Sequence, residues 1–409
     1  MHVLLIHEIF VTPDEGGGTR HYEFAKFLVK NGHKVTVIAS DVDYLSGKKK
    51  NRRSELRDGI EIHYAPTFSF VHSNFFARGI AFFSFSASSF LIAAKVKNVD
   101  IVWGTSPPLF QAFSSLLIAK LGRKKFIYEV RDLWLDFAKE LGVLKNKFIL
   151  NILRKIEKIL YKRSDMVMIN SPGFYPYLPS FLSKEKVILI PNGVDTKNFA
   201  NSIAKGNDIK KRMGLMNKFV VLYAGNIGIA NDMDNILKTA YHLNKFEDIV
   251  FVLIGDGIYK KNVERFIISN KIKNVMLLNP VSKKEIPKYI SIADVCLATI
   301  KNTPLLQIVY PNKVFDYMAS GKPTILTIGG AIRNVIENSK GGLYVTPGNP
   351  TELKKAILYY YNNKSAKLQH GENARNYVKQ HFERSEIAKK LEISLLQLLD
   401  KGDRNERSK

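Results

Sequence analysis

A chain of 409 residues is longer than one ordinary domain, so two domains are expected. Hydrophobic residues at 45% and charged residues at 24% are globular proportions, and the single cysteine, Cys296, excludes an intramolecular disulfide or a multi-cysteine metal site. The formal net charge of +25 calls for an anionic partner: nucleic acid, an acidic membrane surface or phosphorylated substrates.

The first residues, "MHVLLIHEIF", show neither a basic leader nor a small-residue cleavage site and read as a buried strand. "GGGTRHYEFAKFLVKNG" follows as loop and helix, then "HKVTVIAS" as strand. "FFARGIAFFSFSASSFLIAA", residues 75–94, has about the length of a membrane span, but Arg78 and several serines argue against insertion. It reads as a helix buried on one side and touching an interface on the other, or as a plain core helix. The strands "VDIVWGTS" and "KFIYEVRD" are separated by the helix "FQAFSSLLIAKLGR". A long amphipathic helix, "NKFILNILRKIEKILYKRS", precedes the strands "DMVMINS" and "KVILIPNG". Apolar strands alternating with helices predict a parallel sheet covered on both faces.

The pattern restarts beyond "PNGVDTKNF", residues 191–199, with "KFVVLYAGN", "IVFVLIGDG", "VMLLNPV", "VCLATI", "TILTIG" and "GLYVTPG" as strands. The expected class is α/β: two doubly wound, Rossmann-like domains facing across a cleft, residues 1–194 on the acceptor side and 195–383 on the nucleotide side. Residues 384–409 are expected to form a C-terminal helix, a candidate to return to the first domain, and a disordered tail. In such open sheets ligands sit outside the carboxyl ends of the strands.

Several loops there carry candidate chemistry. In "PDEGGGTRHYEF", Gly16, Gly17 and Gly18 precede Thr19 and Arg20 and would let backbone amides approach an anion at a helix's positive end. Asp41 sits roughly where a dinucleotide's ribose acid would, but the G-x-G-x-x-G spacing is absent, and a plain flexible loop fits the same glycines. Gly225 and Gly228 bracket Asn226 after one strand, and Gly255-Asp256-Gly257 follows another. "VYPNKVFDYMASGKPTIL" predicts a short helix with Asn312 as its N-cap, stopped by Gly321 and Pro323. Lys313 and Asp316 share a face of it beside unpaired N–H groups, above Phe315, Met318 and Ala319. The cation suits a phosphate and the carboxylate another part of the same ligand; a surface ion pair is the other reading. "YEVRDLWLD" ends its strand with Glu129, Arg131 and Asp132, which suit an acceptor-side base or a phosphate clamp, or a structural ion pair. The nine histidines show no metal-ligand spacing, so no metal site is expected.

Six blocks, "EGGGTRHYEFAKFLVKNGHKVTVIAS", "FIYEVRDLWLD", "KVILIPNGVDTKNF", "YAGNIGIANDMDNIL", "FVLIGDG" and "PNKVFDYMASGKP", occur in the order found in glycosyltransferase family 4. The chain resembles that family over nearly its whole length. "GGGTRHYEF" and "EVRDLW" look most like the bacterial O-antigen and capsule subgroup that includes N-acetyl-L-fucosamine transferases. The resemblance implies a GT-B fold and a nucleotide-diphosphate sugar donor, UDP-linked and carrying an N-acetylated deoxyhexosamine. It also implies a lipid-linked saccharide acceptor at the cytoplasmic membrane face, retention at the anomeric carbon, and no cofactor or metal. Asp316 would take the ribose diol and Lys313 the diphosphate, with Gly17, Gly18, Thr19, Arg20, Asn226, Gly228, Gly255 and Asp256 around the donor. Asp132 would orient the acceptor hydroxyl, with Arg131 beside it on the leaving group.

The departures from the family pattern are specific. Ile308 stands where many members have the first of two glutamates, Asp316 replaces the second, and Asn226 stands in place of an arginine. The histidine often found near the position of Asp132 is also absent. The basic excess suggests docking on an anionic bilayer through "GKKKNRR", residues 75–94 and the helix 151–164. A nucleotide-sugar epimerase is the alternative enzyme. Nucleic acid is not an expected partner, because the charge is spread over both halves and no nucleic-acid motif is present.

Overall fold

The computed structural model describes residues 1–43, 47–68, 75–140, 142, 144, 146–200 and 203–407, with the side chains of 75–78, 200, 203–205 and 401–407 outside the description. The chain divides into two units. The first takes in Met1–Thr12, Thr19–Pro191 and Ser385–Lys409; the second takes in Pro13–Gly18 and Asn192–Arg384.

The first unit opens with β1 (His2–Ile6), α1 (Arg20–Lys30) and β2 (Lys34–Ser40), then a hairpin of β3 (Ser54–Arg57) and β4 (Ile60–Ala65). It continues through α2 (Phe75–Ala93), β5 (Ile101–Ser106), α3 (Leu109–Leu121) and β6 (Lys125–Val130). The helices α4 (Trp134–Glu140) and α5 (Lys147–Arg163) and the strands β7 (Met166–Ile169) and β8 (Val187–Leu189) complete it. The sheet order is β3-β4-β2-β1-β5-β6-β7-β8, parallel except for β3. Central strands such as β1 and β5 are buried along their whole length, which is why they read as unbroken apolar runs.

Trp103 of β5 packs into the cluster that includes Tyr22 and Phe24 of α1. Gly104 faces the opposite layer. A Cβ there would lie 2.6 Å from that of Ser115 in α3, so the close approach of α3 requires glycine. The β3–β4 hairpin corrects the sequence analysis, which assigned no strand to this stretch. Its turn is Asp58-Gly59, with φ of 48° and 79°, the pair of positive values that a two-residue I′ turn demands.

The second unit begins with α6 (Thr196–Ala200) and α7 (Ile203–Arg212). Strand and helix then alternate: β9 (Phe219–Ala224), α8 (Met233–His242), β10 (Ile249–Ile254), α9 (Lys260–Ser269), β11 (Val275–Leu278) and α10 (Ile286–Ser291). They are followed by β12 (Val295–Thr299), α11 (Asn312–Ala319), β13 (Thr324–Thr327), α12 (Gly330–Ser339) and β14 (Gly342–Tyr344), then α13 (Pro350–Asn362) and α14 (Lys364–His381). All six strands read from the sequence are present, in a parallel sheet of order β11-β10-β9-β12-β13-β14. The glycine loop groups with this unit: Lys284 pairs with Asp14, and the Lys283 N–H donates to the Glu15 carbonyl at 3.3 Å.

The last helix, α15 (Arg384–Arg407), puts Ile387, Ala388, Leu391 and Leu395 into the first unit's core beside Val3 and Val35. Its Glu392 accepts from Asn31 at 2.9 Å and meets His33 at 2.8 Å. The helix runs through Arg407. Helix propagation from packed turns costs little in a stretch rich in Lys, Arg and Glu.

Candidate donor site

The carboxyl ends of β9 and β10 are built for close backbone contact. Gly225, Gly255 and Gly257 have φ of 152°, 154° and 153°. A Cβ on Gly255 would lie 1.9 Å from the Gly225 carbonyl oxygen. The Ile227 N–H donates to the Asp256 carbonyl at 2.8 Å, and the Gly257 N–H to the Asp256 carboxylate at 2.8 Å. Gly255 and Asp256 therefore hold the two loops together. The Asn226 amide folds back between Gly228 and Gly257, where added Cβ atoms would lie 2.9 and 2.4 Å from it. Tyr223 reaches across the same turn, its hydroxyl donating to the Asn226 carbonyl at 2.6 Å.

Helix α11 points its first turn at this arrangement. Pro311, in extended conformation, precedes it, and Asn312 is already helical, so the expected Asn312 cap is not formed. The Asn312 amide instead lies against the glycine loop, 3.1 Å from where a Cβ on Gly18 would stand; Gly17 next to it has φ of 134°. At the other end Gly321, φ 65°, donates its N–H to the Met318 carbonyl and closes the helix as expected.

Lys313 Nζ donates to the Tyr223 hydroxyl at 2.8 Å, stands 3.5 Å from Asn231 Oδ1, and adjoins Gly225. Both hydrogen-bond partners are neutral, and burial pushes this lysine down to about 7. One turn along, Asp316 is 7% exposed and bonded through Oδ2 to Lys283 Nζ at 2.5 Å. Lys283 escaped the sequence reading. It follows β11, and the tendency of ligands to gather at carboxyl strand ends was the available signal. Gln307, beside Ile308, donates to the Lys301 carbonyl at 3.1 Å and accepts from the Gly329 N–H, so it braces the loop where the first family glutamate would stand.

The remaining candidates lie in the first unit. Thr19 starts α1, its carbonyl accepting from the Glu23 N–H at 3.0 Å. Arg20 is 4% exposed; its Nε donates to Glu129 at 2.9 Å and its Nη1 to the Pro191 carbonyl at 2.6 Å. Glu129, fully buried, also accepts from His21 at 2.7 Å and from the Trp103 indole at 2.9 Å. Burial opposes the Glu129 charge, but His21 and Arg20 outweigh it and hold the carboxyl well below its usual range. Burial pushes His21 down to about 4. The guanidinium proposed for phosphate is thus anchored in this interior network.

Arg131 Nη1 donates to His7 Nε2 at 3.1 Å, which places the His7 proton on Nδ1, 2.8 Å from Thr105 Oγ1. Arg131 Nε is buried without a hydrogen-bond partner. Burial pushes the neighbouring Asp132 carboxyl up to about 6, against the pull of Arg131.

Comparison with known proteins places the chain among glycosyltransferases. The family model described as Glycosyltransferase Family 4 matches residues 15–198, and that described as Glycosyl transferases group 1 matches residues 206–377. A putative colanic acid biosynthesis glycosyl transferase, WcaI, from Escherichia coli K12 is 23% identical over 79% of this chain and 83% of its own length. The UDP-Gal:alpha-D-GlcNAc-diphosphoundecaprenol alpha-1,3-galactosyltransferase of Escherichia coli is 24% identical over 49% of this chain and 52% of its own. Anabaena HepE, solved with UDP, superimposes with a TM-score of 0.73 at 15% identity, covering 97% of this chain and 100% of that one. Its fold and that of other solved neighbours is the GT-B fold of glycosyltransferases, which this chain shares. With one model on each half and little of the chain outside them, the protein belongs to the family 4 glycosyltransferases.

Proposed function

We propose that this glycosyltransferase moves a sugar, an N-acetylated deoxyhexosamine, from a UDP-linked donor to a lipid-linked saccharide in surface-polysaccharide biosynthesis, with retention at the anomeric carbon. The observation that carries the donor assignment is Lys313, a half-buried ammonium at a helix N-terminus whose hydrogen-bond partners are neutral, with Asp316 one turn away. A diphosphate supplies the missing anion, met by Lys313 and the first N–H groups of α11. Ribose hydroxyls take the Asp316 oxygen that Lys283 leaves open, and Lys283 becomes a second cation beside the nucleotide. These groups stabilise charge that grows on the leaving diphosphate in the transition state. Asp132, with Arg131 beside it, orients the acceptor hydroxyl. UDP and the lipid diphosphate acceptor are supported by the name of the galactosyltransferase relative and remain part of the proposal.

Lys313 makes this reading pH-sensitive. Burial has lowered the lysine to about 7 in the free protein, and a bound diphosphate favours its charged form. Below pH 7 the ammonium is already in place; above it, binding must recruit a proton. UDP affinity is therefore expected to fall about tenfold per pH unit above that value. Calorimetry at pH 8 in buffers of different ionisation enthalpy should show proton uptake, lost in Lys313→Met.

The direct test is turnover with a panel of UDP-sugars and a lipid-linked saccharide extract. Acceptor-dependent release of UDP with a radiolabelled lipid product is expected. Conversion of the donor without any acceptor would instead favour an epimerase.

A further inference from the structure

The amino ends of the strands in the second unit gather more positive charge than they answer. Asp294, the residue before β12, accepts from the Val220 N–H of β9 at 2.9 Å and meets two lysines. Lys367 of α14 lies 2.5 Å from its Oδ1, and Lys210 of α7 lies 3.5 Å from its Oδ2. Asp294 is 16% exposed and each of these lysines 19%, whereas most lysines stay in water. A third lysine, Lys322, follows α11 and is largely buried. Its Nζ donates to the Ser291 carbonyl, at the end of α10, at 2.8 Å.

The neighbouring groups do not balance these cations. Burial pushes the Lys322 ammonium down, and crowding by Lys210 and Lys367 adds to the push. Cys296 is no counter-ion, because burial pushes its thiol up and leaves it neutral. Asp248, just before β10, accepts from the Tyr361 hydroxyl instead. Three ammonium groups against one carboxylate leave a surplus of two charges. Hydrogen-bonding capacity is also left over. Each ammonium has three donors, and among the described residues each has one partner. On β13, Thr324 pairs in register with Cys296, and its fully buried hydroxyl has no partner among the described residues. Arg375 shares a face of α14 with Lys367 and with Gly371, which packs on the Gly321 carbonyl beside Lys322. Its Nε is likewise buried and unpartnered among the described residues.

We propose that Lys210, Lys322 and Lys367 form a second anion site, which takes a phosphate, either the free ion or that of a small phosphate ester. A phosphate carries about two negative charges at neutral pH, the size of the surplus. Its several oxygens accept from the spare ammonium donors in charge-assisted hydrogen bonds. A monovalent anion would leave one charge over. Lys322 lies beyond the carboxyl end of α11, whose first turn carries Lys313. The site is therefore separate from the donor end of that helix and independent of the donor reading.

The test is a calorimetric titration of inorganic phosphate into the full chain at constant ionic strength. Wild type is compared with Lys313→Met, which removes phosphate binding at the donor end of α11. One phosphate should still bind Lys313→Met. Adding Lys322→Met should weaken that binding about tenfold or more, the loss of a hydrogen bond to a charged group. Asp294→Asn, made on the same background, separates a binding site from a structural ion cluster. The asparagine oxygen can still accept from the Val220 N–H, and the competing negative charge is gone. Phosphate should therefore bind this variant about tenfold tighter. It should also restore the melting temperature that the substitution lowers. A cluster that only anchors Asp294 would lose stability with no gain in phosphate affinity, and that result overturns the proposal. So does a Lys313→Met protein that binds no phosphate. Glycerophosphate titrated alongside distinguishes the two sources: tighter binding than phosphate assigns an ester, and equal or weaker binding assigns the free ion.

Discussion

Replacing Glu129 with Gln is expected to destabilise the first unit by about 3–5 kcal/mol, the cost of leaving a buried charge without its counter-ion. Arg20 Nε is 2.9 Å from the carboxylate and the guanidinium is 4% exposed, so the charge has no route to water in the folded state. His21 and Trp103 donate to the same carboxylate and would also lose a charged acceptor. Both tryptophans, Trp103 and Trp134, lie in this unit, so fluorescence-detected urea unfolding reports its transition. The midpoint should fall with little change in slope. A shift worth less than about 1 kcal/mol would mean that water reaches Arg20. The network also makes the unit acid-labile. Glu129 titrates lower folded than unfolded, so its contribution is lost as pH falls through the carboxyl range. His21, at about 4 in the fold against 6.5 when free, adds a loss as pH drops between those values.

Asp316→Ala is expected to weaken UDP binding by about 1.5–3 kcal/mol, roughly ten- to a hundredfold, the range for hydrogen bonds to a charged group. Lys283 holds one carboxylate oxygen, which fixes the side chain and leaves the other for a ribose hydroxyl. The substitution removes the acceptor and also releases Lys283 from its orientation. Asp316→Glu restores the residue common in the family, with one methylene more reach, and should retain most of the affinity. If affinity in Asp316→Ala matched wild type, the ribose would have to lie elsewhere.

The fold was legible where local pattern decides it. Runs such as Phe219–Ala224 are buried on both faces and therefore read as unbroken apolar strands. The β3–β4 hairpin was missed because the edge strand Ser54–Arg57 is polar and half-exposed; only its Asp58-Gly59 turn marked it. The helix that carries Lys313 and Asp316 was legible from its punctuation. Their partners were not: Lys283 is 33 residues from Asp316, and only the tertiary fold brings them together. The same applies to Arg20. At a helix N-terminus beside three glycines it reads as an anion binder, yet Glu129, 109 residues away, takes it into the core. A guanidinium and a lysine ammonium look alike in sequence, and only the fold shows which is buried with a counter-charge and which has neutral partners.

The most direct measurement is a calorimetric titration of UDP, GDP and ADP into wild type and Asp316→Ala at pH 6.5, where Lys313 is charged. The expected result is UDP binding to wild type that weakens ten- to a hundredfold in the variant while its melting temperature holds. No nucleotide binding by wild type, or equal affinity in both proteins, would contradict the assignment of α11 as the seat of the donor nucleotide.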